Sequence, residues 1–143
     1  MGISQSLCNS AKAEFIQGIH LASHDYKIAL FTSATTLSKS TTTYTGTTNE
    51  VSSVGTNYTT GGKLLTGYTV LLINDTAILD WTVDPSWALA SFTARGALVY
   101  NDSLAGKNSL FVLNFTIDYT ATNGTFLVTL PAPWEATALV RIL

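Results

Sequence analysis

His20 and His24 stand four residues apart, a separation that puts two imidazoles on one face of a helix, where they could grip a metal ion. No glutamate lies between them to act as general base, no third ligand is near, and Gly18 and Ser23 point to a helix that stops between the two. Asp80 and Asp84 flank Trp81, a spacing that raises paired-carboxylate cleavage of a glycosidic bond. Asp84 precedes Pro85, however, and a turn accounts for it; Asp75, Asp102 and Asp118 also fall at turns. Serine and threonine are abundant, yet none sits in the G-x-S-x-G setting that activates a nucleophile. Cys8 is the single cysteine, which excludes an internal disulfide, a CxxC pair and a thiolate metal site; its apolar neighbours suggest a small buried hydrophobe. No enzyme activity, metal or cofactor is expected.

Arg95 lies inside an apolar strand pattern, where an arginine needs an anion, and Glu50 is the candidate partner for it. Such a pair would anchor a polar arm to a sheet, so Arg95→Ala should loosen the arm. Tyr44, Val51, Tyr58 and Trp134 are the candidate contact residues for other proteins. Trp81, Trp87 and Trp134 all fall near strand ends, where tryptophan closes a sandwich, meets a subunit or stacks on a sugar.

The elements that would position these residues follow from periodicity. Ile3, Leu7, Ala11, Phe15 and Ile19 recur every four residues, which predicts an amphipathic helix over residues 4–20 with Ser4 as N-cap. A short apolar strand is predicted over residues 26–31. Residues 34–60 are dominated by Thr, Ser, Gly and Asn, and they read as an extended arm or long loop with a short strand near Glu50. Its loss should leave the remaining domain folded. Beyond Gly61-Gly62 the chain becomes strand upon strand: 64–73 and 76–83 around an Asn74-Asp75 hairpin turn, then 87–100, then 110–117. Asn123-Gly124 reads as another turn, followed by a strand to Leu130 and a last one from residue 138 onward. The fold class is mainly β, an antiparallel sandwich or barrel of seven to eight strands. Residues 1–143 form a single domain, with 61–143 as the main strand region.

Composition narrows the partners. The 143 residues hold seven Lys and Arg, scattered without a run, against nine Asp and Glu, so nucleic acid is not an expected partner. No stretch has the apolar length of a membrane span and no secretory signal is visible, so no membrane association is expected. Charged residues make up 11%, less than half of the ~25% of ordinary soluble domains. A threonine-rich exterior with few charges suits a protein whose faces are covered by neighbours, and a homo-oligomer is expected.

Several motifs occur in order: Ser6-Leu7-Cys8-Asn9-Ser10, Lys27-Ile28-Ala29-Leu30-Phe31-Thr32-Ser33, Thr48-Asn49-Glu50-Val51, Tyr58-Thr59-Thr60-Gly61-Gly62, Phe92-Thr93-Ala94-Arg95-Gly96-Ala97-Leu98-Val99-Tyr100-Asn101 and Leu139-Val140-Arg141-Ile142. The series resembles a family of small virion-associated structural proteins of tailed bacteriophages across nearly the whole chain, with a departure around residues 74–87. The resemblance implies a place in the virion, assembled in the bacterial host cytoplasm, with other virion proteins as partners (the major capsid protein or tail components). The expectation is a capsid decoration (cement) protein, to which residues 34–60 and the N-terminal helix contribute contacts. The alternative is a tail- or fibre-associated module that binds host surface carbohydrate.

Overall fold

The computed structural model describes residues 2–46, 48–133 and 138–143. Its elements, in chain order, are β1 (Ser6–Leu7), α1 (Asn9–Ile16), β2 (Tyr26–Phe31), β3 (Lys63–Leu64), β4 (Tyr68–Ile73), β5 (Thr76–Trp81), β6 (Ser86–Asn101), β7 (Ser109–Leu127) and β8 (Val140–Ile142). Two antiparallel sheets result, one of five strands in the order β1-β7-β6-β2-β3 and one of three in the order β4-β5-β8. The arrangement is that of a β-sandwich and not of a closed barrel, so of the two architectures expected the sandwich is the one formed.

Around β2 the larger sheet is buried on both faces, which explains why that strand is an almost unbroken apolar run. Period two sends Tyr26, Ile28 and Leu30 to one side, where they join Leu79, Trp81, Val99 and Phe111 in the core between the sheets. Ala29 and Phe31 point to the other side and meet Cys8, Ala11, Leu37, Leu98, Tyr100 and Val112 in a second apolar layer. That layer is roofed by α1 and by the threonine-rich segment.

Four expectations change on this framework. The helix is shorter than 4–20 because Ile3 and Leu7 belong to extended chain: Ile3 bridges Leu37, and Leu7 pairs with Phe111. Ala11 is its one buried residue and Ile16 is 86% exposed, so the predicted apolar stripe does not form; the N-cap is Cys8 rather than Ser4.

The second change concerns residues 34–60, which are not a detachable arm. Phe31 bridges Glu50, Thr43 bridges Asn108, and Leu37, Val51 and Tyr58 are buried. Leu37 lies in the outer apolar layer and Val51 and Tyr58 in the core between the sheets, so deleting the segment would uncover apolar surface in both and should cost stability.

Third, the strand predicted over 64–73 breaks into β3 and β4 at Gly67. Its φ of +82° is a left-handed conformation, and a Cβ there would lie 2.1 Å from Thr82 Oγ1. The hairpin after β4 forms as read, with Ile73 opposite Thr76 across Asn74-Asp75. Fourth, Asn123-Gly124 does not turn the chain: both residues lie within β7, and Gly124 faces Ala90 of β6. Among the described residues no helix is long and apolar enough to cross a membrane.

Candidate functional site

Glu50 is the centre of a densely bonded polar cluster. Its backbone is fixed against β2, since the Thr32 amide donates to the Asn49 carbonyl and the Val51 amide to the Leu30 carbonyl, each at 2.9 Å. The side chain, on a residue only 8% exposed, then turns into a ring of neutral donors. Tyr58 Oη donates to Oε1 at 2.8 Å, the Gly61 amide donates to the same oxygen at 2.7 Å, and Tyr44 Oη donates to Oε2 at 2.7 Å. Tyr58 Oη also accepts the Leu30 amide at 2.9 Å. Tyr44 stacks on Tyr100 with ring centroids 4.3 Å apart and planes within 7°, and Tyr100 Oη donates to the Gly61 carbonyl at 2.7 Å.

Burial pushes the Tyr58 and Tyr44 hydroxyls well above the ordinary phenol range, and the neighbouring Glu50 charge pushes in the same direction. These phenols therefore stay protonated and act as donors. A buried carboxylate normally needs a cation; here three neutral hydrogen bonds take that part. The cluster fastens Tyr44, Glu50, Tyr58 and Gly61 to the larger sheet.

Arg95 is not its partner. On β7, Phe115, Thr116, Ile117 and Asp118 bulge out opposite Arg95, between the pairs Gly96↔Asn114 and Ala94↔Tyr119. The bulge brings Asp118 beside the guanidinium, with Nη1 3.1 Å from Oδ1, on partly exposed side chains. The expected Arg95–Glu50 pair is thus replaced by a local pair across β6 and β7. Of the candidate contact residues, Val51 and Tyr58 are each 3% exposed and therefore core, Tyr44 is held in the stack, and Trp134 lies outside the described residues.

The histidines are joined by an amide. Asn101, fully buried, sends its Nδ2 to His20 Nδ1 at 3.0 Å and to His24 Nδ1 at 2.9 Å. His20 Nε2 lies 2.8 Å from Glu14 Oε2, and Asn108 Nδ2 donates to Glu14 Oε1 at 2.8 Å. Burial holds the His20 pKa below its ordinary value even though Glu14 works the other way. A neutral ring carrying its proton on Nε2 satisfies both contacts. The network ties α1 to the end of β6 and to the turn before β7. Among the described residues no group of three or more His, Cys, Asp or Glu side chains is placed to hold a metal ion.

The remaining candidates hold structure. Asp80 is fully buried with Oδ1 accepting the Trp81 amide at 2.8 Å, and burial raises its pKa. Asp84 accepts the Leu130 amide at 2.8 Å. Trp81 and Trp87 are 2% and 5% exposed and fill the core, so neither offers a face to a sugar. Asp102 binds Lys27 at 2.9 Å and Lys107 at 2.6 Å.

What the sequence reading missed is apolar surface. Val70, Leu71 and Leu72 of β4, Leu89 of β6, and Ile117, Tyr119 and Leu127 of β7 are exposed. A groove of ≈ 470 Å³ opens beside the β7 bulge, lined by Phe115, Tyr119, Ala121, Phe126 and Leu127 among others. The signal was present for β4, where 68–73 is an apolar run that does not alternate. Comparison with protein-family models, with curated proteins and with solved structures finds no match to this chain.

Proposed function

We propose that this chain is a non-enzymatic virion structural protein, a capsid decoration (cement) protein that sits on the major capsid protein. The observation that carries the reading is the division of labour between side chains. Glu14, Glu50 and Asp102 are engaged in bonds that hold loops to the larger sheet. Val54, Val70, Leu72 and Leu89, each 60% exposed or more, lie on a loop and on strands. Scattered apolar contacts on a rigid, weakly charged body suit a protein repeated over a symmetric shell, where effective concentration lets each contact be modest. The ordered motifs similar to virion-associated proteins of tailed phages supply the setting.

Purified protein mixed with phage heads and with tails, followed by sedimentation and electron cryomicroscopy, tests the reading. Regular density on the head surface is expected, and Val54→Asp should weaken head binding while the melting temperature stays unchanged. Binding to tails alone, or to neither part, would reject it.

A further inference from the structure

We propose that the outer edge of β4 pairs with the same edge of a second copy of this chain, joining two three-stranded sheets into one six-stranded sheet across a two-fold axis. β4 ends its sheet, with β5 on one side and, among the described residues, no strand on the other. The register shows which backbone groups are left over. The Thr82 amide donates to the Gly67 carbonyl at 3.0 Å, and the pairs run from Tyr68↔Trp81 to Ile73↔Thr76 without a shift. The alternation of an antiparallel ladder therefore aims the amides and carbonyls of Gly67, Thr69, Leu71 and Ile73 at β5. Those of Tyr68, Val70 and Leu72 point outward, and among the described residues they meet no backbone partner.

A row of alternating donors and acceptors is matched by another strand. Natural edges are guarded against this by charge, proline or a bulge, and β4 has none of the three. Its side chains are also uncovered on both faces, with Val70 60%, Leu71 43% and Leu72 74% exposed.

Charge selects the occupant. A strand paired with its own copy meets its own charges, so a charged edge repels itself, whereas Tyr68–Ile73 carries no charge at all. Centred on Val70, the two-fold sets Val70 against Val70 and Tyr68 against Leu72 of the second copy, each as a doubly hydrogen-bonded pair. Asp75, the nearest acid, then falls opposite the uncharged Leu65. The strand is roughly 20 Å long, and so small a contact falls short of the ~800 Å² per partner of a standard interface. Pairing is accordingly concentration-dependent in solution and reinforced wherever copies are held side by side. It is a property of this chain alone, so it does not rest on the capsid reading and is tested without phage particles.

Sedimentation of the full chain over a rising concentration series should show the average mass double. Val70→Lys should remain at monomer mass throughout, with an unchanged circular dichroism spectrum and melting temperature. In the proposed register the two Val70 Cα atoms lie about 5.5 Å apart, within disulfide reach. Val70→Cys should therefore cross-link two copies under mild oxidation, while Val54→Cys, at a still more exposed position on a loop, should not. A wild-type chain that stays monomeric, a Val70→Lys variant that doubles like wild type, or a Val70→Cys variant that cross-links no faster than Val54→Cys would each overturn the proposal.

Discussion

Tyr58 places its hydroxyl 2.8 Å from Glu50 Oε1 while the Leu30 amide reaches the same hydroxyl at 2.9 Å, so one phenol joins β2 to the carboxylate that gathers the threonine-rich segment. Removing that oxygen leaves a buried amide without an acceptor and Glu50 with one donor fewer. Tyr58→Phe should therefore cost about 1–3 kcal/mol of stability. Tyr44→Phe keeps its stack on Tyr100 and should cost less, on the order of 1 kcal/mol. Urea titrations of the two variants check the ranking, and equal midpoints would contradict it.

The Arg95–Asp118 pair bridges two partly exposed side chains at a bulge, where water and salt screen it. Arg95→Ala and Asp118→Asn should each change stability by less than about 1 kcal/mol. Limited proteolysis within residues 34–60 should proceed at the wild-type rate in both, because Glu50, not Arg95, holds that segment.

Acid should weaken the fold in two stages. Burial lowers the His20 pKa, so the unfolded chain binds the proton more readily than the folded one. Stability from the neutral ring is complete above the unfolded value near 6.5 and declines as pH falls below it. Burial alone would raise the Asp102 pKa, but the Lys107 and Lys27 ammonium groups outweigh it and hold the carboxyl below its usual 3.8. That contribution is present above 3.8 and disappears as pH drops through the lower folded value. Melting curves from pH 7 to 3 should show both declines, with His20→Gln flattening the first and Asp102→Asn the second.

Gly62 takes a φ of +83°, and a Cβ built on it would stand 1.9 Å from the Ile28 carbonyl oxygen. Backbone meets backbone there, so no side chain can swing aside. Gly62→Ala should destabilise by at least about 3 kcal/mol, read as a lowered denaturation midpoint or as loss of soluble protein.

Strand positions were largely legible because alternation and turn chemistry are local. The Asn74-Asp75 hairpin needs only two residues that tolerate left-handed backbone between apolar runs. The N-terminal helix was over-read because a four-residue apolar repeat fits a helix, whereas Ile3 and Leu7 find their partners in Leu37 and Phe111, far along the chain. Asn123-Gly124 is a turn signal overruled by pairing, with Asn123 absorbing a φ of +47° inside β7. The Glu50 cluster was invisible for a different reason. A buried acid suggests a cation, and nothing in local spacing says that Tyr44, Tyr58 and an amide will serve instead. Arg95 found Asp118 only because β7 bulges, a feature set by tertiary register.

β1 lies against β7, and Asn114 Nδ2 donates to the Ile3 carbonyl at 2.8 Å across 111 positions of sequence. During synthesis β1 lacks its strand partner until β7 has been made, whereas Ile3 can meet Leu37 much earlier. Cys8 and its apolar neighbours are only partly covered during that interval, since Leu98, Tyr100 and Val112 come late. Such dependence on remote pairings places folding toward the slow, millisecond-to-second end of small domains. A polypeptide cut short before Phe111 would leave Ser6 and Leu7 without a strand to pair with, and cellular proteases should clear it quickly.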